Sequence, residues 1–150
     1  MKTLSPFRAV VLAAAVATLA LSACSASTPT PAAVTNSSGA NAAPAALPVT
    51  VDTAEAARLR ESGALVLDVR EQYEWNEAHI PGATLIPLGE LQSRISELPR
   101  DKQIVVVCRS GNRSQSGRDV LREAGFSSVT SMSGGLIRWQ SAGLPLESGQ

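Results

Sequence analysis

Hydrophobic and polar positions divide this chain into three stretches of different rhythm. From Ala9 to Leu21 almost every residue is apolar and none is charged. From Ser25 to Leu47 the chain is mainly Ala, Ser, Thr, Pro, Asn and Gly, again uncharged, with almost nothing large to bury. From Pro48 onward short apolar runs alternate with segments whose apolar residues recur at helical spacing. Strands are predicted at Pro48 to Val51, Ala64 to Val69, Thr84 to Ile86, Gln103 to Val107 and Ser128 to Ser131. Helices are predicted at Ala54 to Arg60, capped by Asp52 or Thr53, and at Glu71 to Ala78. Further helices follow at Leu88 to Leu98, with Leu91, Ile95 and Leu98 on one face, at Ser114 to Gly125, and at Gly135 to Ala142. Such alternation predicts an α/β domain: a mainly parallel five-stranded sheet with helices on both faces, its edge near Thr84.

The first two stretches bear on location. Lys2 and Arg8 precede the apolar run, and Leu21-Ser22-Ala23-Cys24 follows it, the arrangement of a bacterial secretion signal. The run is too short for a permanent membrane span. Its four-residue ending resembles a lipobox, which implies cleavage before Cys24 and lipidation of that cysteine. The alternative is an ordinary secretory peptide cut near Ala26. Residues 1–23 are thus expected to be a lipoprotein signal, 24–47 a lipidated cysteine and flexible linker, and 48–150 the folded domain. As a flexible coil the linker spans about 25 to 30 Å. This predicts an extracytoplasmic, lipid-anchored protein, on the periplasmic face of a membrane in a Gram-negative host.

Charge excludes one class of partner. Thirteen basic residues balance thirteen acidic ones, and removal of Lys2 and Arg8 leaves eleven against thirteen. With no basic patch, one tyrosine and two phenylalanines, nothing favours nucleic acid. There are two cysteines; if Cys24 is lipidated, Cys108 is the remaining thiol and no internal disulfide can form.

Chemistry concentrates where the Gln103–Val107 run stops at Cys108 and a polar loop, Arg109-Ser110-Gly111-Asn112-Arg113-Ser114, opens a helix. In open parallel sheets, ligands bind beyond the carboxyl ends of the strands. There the next helix aims its unpaired N–H groups and positive dipole end. A sulfur anion at Cys108 is favoured by that geometry and by Arg109 and Arg113, and a thiolate is the nucleophilic form. The plainer alternative makes Cys108 a small buried residue at a strand end.

Four motifs taken together resemble the single-domain rhodaneses over about residues 49 to 147. They are the Cys108 loop, Leu65-Val66-Leu67-Asp68-Val69-Arg70-Glu71, His79-Ile80-Pro81-Gly82-Ala83 and Gly134-Gly135-Leu136-Ile137-Arg138-Trp139. The resemblance implies a sulfurtransferase in which Cys108 takes sulfur from a donor such as thiosulfate, becomes a persulfide and passes the outer sulfur to a thiophilic acceptor. Residues Arg109, Ser110, Gly111, Asn112, Arg113 and Ser114 would bind the substrate, with no cofactor and no metal. Two alternatives stay open, a sulfur-carrying or non-catalytic module and a phosphatase or arsenate reductase. Related phosphatases carry one more residue in this loop; here Arg113 closes a six-residue ring from Cys108, and Ser114 stands where their arginine would fall.

The supporting residues are read more conservatively. Asp68 and Arg70 end a buried strand near the same crevice and are expected to pair structurally. His79, the single histidine, sits in a packing turn with no metal-ligand cluster around it. Trp75 and Trp139 read as core or pocket wall, and Gly134-Gly135 as a close approach of backbone to the site.

Overall fold

A computed structural model describes residues 46–149 of this chain. The proposed signal, Cys24 and the linker up to residue 45 lie outside the described residues. Strands and helices alternate in the order β1 (Thr50–Val51), α1 (Thr53–Glu61), β2 (Leu65–Asp68), α2 (Gln72–Glu77), β3 (Thr84–Leu85), α3 (Leu88–Arg94), β4 (Ile104–Val107), α4 (Asn112–Glu123), β5 (Val129–Met132) and α5 (Gly135–Ser141). The five strands form one sheet in the order β1-β5-β4-β2-β3. Every pairing is parallel, so the sheet is wholly rather than mainly so. Thr84 stands on an edge strand, as its short run predicts.

β4 runs through the middle, and all four of its residues are buried. Side chains alternate across a strand, and the two cores divide accordingly. Ile104, Val106 and Cys108 pack with Leu91 of α3 and Leu121 of α4 on one face. Val105 and Val107 pack with Leu59 of α1 and Trp139 of α5 on the other. A strand sandwiched this way must be apolar throughout, which is why its sequence shows a continuous run instead of alternation. Leu47, the last residue assigned to the linker, packs against the second core.

Local chemistry sets the boundaries. Asp52 caps α1 by accepting the Glu55 N–H at 2.8 Å. The single helix expected over Leu88 to Leu98 tightens into a 3-10 turn at Ile95–Glu97, and Leu98 is extended at ψ 136°. Pro99 follows, and the residue before a proline is driven out of the helical region. Helix α4 begins at Asn112, two residues ahead of Ser114, because Gly111 takes φ +101° and turns the chain early. Among the described residues no helix is long and apolar enough to cross a membrane.

Candidate active site

Cys108 leaves the carboxyl end of β4 on the α4 face and is 1% exposed. The Gly111 N–H donates to its Sγ at 3.2 Å. Two further bonds fix how the loop faces the sulfur. The first free amides of α5 are directed back at the loop: Leu136 N–H donates to the Cys108 carbonyl at 2.8 Å and Ile137 N–H to the Arg109 carbonyl at 3.1 Å. In a planar trans peptide the N–H lies antiparallel to the C=O. With the carbonyls of residues 108 and 109 turned onto α5, the N–H groups of Arg109 and Ser110 point the opposite way. The Gly111 carbonyl is removed from the cradle as well, accepting from Ser114 Oγ at 2.9 Å and from Gln115 Nε2 at 3.2 Å. What remains is a turn that presents donors and hides acceptors, the arrangement that stabilises an anion.

This requires α5 to lie almost against the loop. A Cβ on Gly135 would sit 2.2 Å from the Cys108 oxygen and 2.6 Å from the Arg109 carbonyl. The Gly134-Gly135 pair therefore makes the close approach that its sequence suggests.

A family model for the rhodanese-like domain matches residues 52–142. The chain belongs to the rhodanese-like family. Among curated relatives, thiosulfate sulfurtransferase GlpE of Pseudomonas syringae is 40% identical over 86 residues, covering 57% of this chain and 81% of that protein. The Bacillus subtilis protein YrkF, whose name marks it as a candidate sulfur carrier, is 40% identical over 74 residues. That match covers 49% of this chain and only 40% of YrkF. Among solved structures, a rhodanese-related protein from Thermoplasma volcanium superposes with a TM-score of 0.62 at 31% identity, over 65% of this chain and 96% of that one.

Around the rhodanese cysteine three arginines take different roles. β2 lies beside β4 with Asp68 level with Val107, which brings Arg70 alongside the loop. Arg70 is buried; its Nε and Nη2 donate to the Asp68 carboxylate, Nη1 donates to the Glu74 carbonyl and Nη2 also to the Ala78 carbonyl. This pair binds β2 to the end of α2. Arg113, in the first turn of α4, grips Glu74 with both terminal nitrogens at 2.7 Å. That bond holds the Glu74 carboxyl below the usual carboxylate range. Arg113 is correspondingly raised, chiefly by Glu74 and to a smaller extent by Cys108 and Asp68. Arg109 is exposed and, among the described residues, has no carboxylate partner.

Of the other loop residues, Ser110 and Asn112 are exposed and Ser114 is fully buried with its hydroxyl donated to Gly111. Glu74 was not singled out by the sequence. Its one local signal is the spacing to Glu71, whose N–H it accepts at 3.2 Å at the start of α2. Nothing local announces a partner thirty-nine positions away.

His79 lies outside this cluster. Its ring stacks on Trp75 at 3.7 Å, and its nitrogens meet the Trp75 carbonyl and the Glu147 carboxylate. With the paired backbone bonds between His79 and Glu147, it fastens the C-terminal segment to α2. A cleft of about 480 Å³ opens between α2, α5 and that segment. Arg109 and Glu74 border it, while the Cys108 side chain does not form part of its wall.

Proposed function

We propose that this rhodanese domain moves sulfane sulfur from a donor such as thiosulfate to a thiophilic acceptor through a persulfide on Cys108. The observation that carries the reading is the loop itself: one amide bonded to Sγ and two more turned away from α5 by the Leu136 and Ile137 bonds. In the first step the Cys108 thiolate attacks the outer sulfur of thiosulfate. The Cys–S bond forms, the S–S bond of the donor breaks, and sulfite leaves with the electron pair. The persulfide then carries an anionic terminal sulfur, which the same amides stabilise. In the second step the acceptor attacks that terminal sulfur and Cys108 leaves as a thiolate.

Intact-mass measurement tests the reading. Thiosulfate should add one sulfur atom to the purified chain, and cyanide or a small thiol should remove it. Cys108→Ser should show neither change; an adduct that persists in that variant places the nucleophile elsewhere. Similarity to YrkF supports a second form of the same chemistry, in which the loaded domain hands sulfur to a protein partner without turning over. Repeated turnover with cyanide separates the two.

We also propose that residues 1–23 act as a lipoprotein signal and that Cys24 carries the lipid, which puts the domain on an extracytoplasmic membrane face. The basis is the Leu21-Ser22-Ala23-Cys24 ending after an uncharged run. One acyl chain gives marginal binding and additional chains make it stable.

A further inference from the structure

We propose that the donor this site prefers is a sulfane sulfur carried on an organic thiol, R–S–SH, and that Glu74 sets this preference over small dianions such as thiosulfate. The proposal rests on the sulfurtransferase reading and narrows its substrate class.

Two independent observations lead to it. The first is the balance of charge. Three guanidiniums stand near Cys108, but two are already neutralised. Arg70 lies on Asp68, and both are buried. Arg113 is held by both oxygens of Glu74 at 2.7 Å. An entering dianion therefore meets the loop amides and one uncommitted guanidinium, that of Arg109. Stripping water from a doubly charged ion is costly unless opposite charge replaces it. A persulfide, neutral or singly charged at its reacting end, needs less compensation and is served by amide donors alone.

The second observation is room. The cleft of about 480 Å³ beside the loop is walled by Tyr73 and Glu74 of α2, Leu136 and Ile137 of α5, and Leu146. That volume lies within the range of sites for small organic molecules and exceeds the needs of a bare sulfur oxyanion. Tyr73 and Ile137 are 67% and 50% exposed, large apolar surfaces left open on facing elements. A carrier group R seated between them would cover both.

The step balances without any further reagent. The Cys108 thiolate attacks the outer sulfur of R–S–SH, the new S–S bond forms on Cys108, the R–S bond to that sulfur breaks, and R–S⁻ departs with the electron pair. The proton stays on the transferred sulfur.

The test loads the full chain with thiosulfate or glutathione persulfide and follows the mass gain at Cys108 for the wild type, Glu74→Gln and Tyr73→Ser. The wild type should show the higher kcat/KM with glutathione persulfide. Glu74→Gln leaves Arg113 unneutralised, so kcat/KM for thiosulfate should rise about three- to tenfold, through KM, and become sensitive to ionic strength. Tyr73→Ser should lower kcat/KM for the persulfide and leave thiosulfate loading as it was. Because Tyr73 is 67% exposed, its arm is independent of any folding defect at Glu74. Loading by both donors with neither variant shifting their ratio overturns the preference alone. Absence of loading from either donor in the wild type overturns the sulfurtransferase reading and the preference with it.

Discussion

Replacing Gly135 by alanine should damage this domain far more than the loss of one glycine suggests. Two effects combine. Gly135 has φ +53°, a region that costs an L-residue about 1 to 2 kcal/mol. The new Cβ would also fall 2.2 Å from the Cys108 oxygen and 2.6 Å from the Arg109 carbonyl, all of it backbone that cannot swing aside. α5 must retreat, and the bonds from Leu136 N–H at 2.8 Å and Ile137 N–H at 3.1 Å are the ones broken. At about 1 kcal/mol each, the total reaches about 3 to 4 kcal/mol, a large part of the 5 to 15 kcal/mol typical of a whole domain. For about one hundred residues this lowers Tm by at least roughly 10 °C. Gly143→Ala supplies the control: φ is +69° there too, but nothing lies within 4 Å of the added Cβ. It should cost only the backbone term, about 1 to 2 kcal/mol. Urea unfolding of both variants gives the comparison, with thiosulfate loading as a second readout, since the retreat of α5 also releases the carbonyls of residues 108 and 109. If Gly135→Ala is no less stable than Gly143→Ala, the contact between α5 and the loop is not what orients the cradle.

Three further outcomes are expected. Asp68→Ala strands the buried Arg70 guanidinium, so it should cost about 3 to 5 kcal/mol in denaturant unfolding, whereas an unchanged midpoint would mean that Arg70 finds water or another partner. Glu74 has a folded-state value below its ordinary one; its contribution is therefore fully present above about pH 4.5 and lost as pH falls further. Stability measured from pH 6 to pH 3 should accordingly fall more steeply in the wild type than in Glu74→Gln. Finally, the full chain expressed in a bacterium should partition into detergent and carry lipid on Cys24, Cys24→Ala should be retained as unlipidated precursor or released soluble, and a chain starting at Ala46 should stay soluble and still load sulfur.

The fold was legible because its three inner strands, β2, β4 and β5, are almost wholly buried. Ile104 to Val107 can only be a central strand, and the Gly and Pro positions between runs mark the turns. What escaped was decided at longer range or by a single backbone angle. The start of α4 depends on Gly111 entering the left-handed region, and that choice is set by the neighbouring Gly134 backbone, whose nitrogen would lie 2.9 Å from any Cβ there. The pairing of Asp68 with Arg70 could be anticipated from two positions separated by one residue at one strand end. The pairing of Glu74 with Arg113 could not, since it depends on how α2 and α4 meet across the sheet.

The wholly parallel sheet also gives the domain a direction. Arg122 donates to the carbonyls of both Leu47 and Val129, so the entering chain is level with the start of β5. Val129 is in turn level with Ile104, four positions before Cys108. At about 3.3 Å per residue the chain enters roughly 13 Å below the sulfur, at the opposite end of the strands. The C-terminal segment ends elsewhere, with Gly149 N–H bonded to Asn76 on α2, beside the cleft. Cargo attached directly at Leu47 would therefore stand at the end of the sheet opposite the cysteine. The same cargo at the carboxyl end would stand at the mouth.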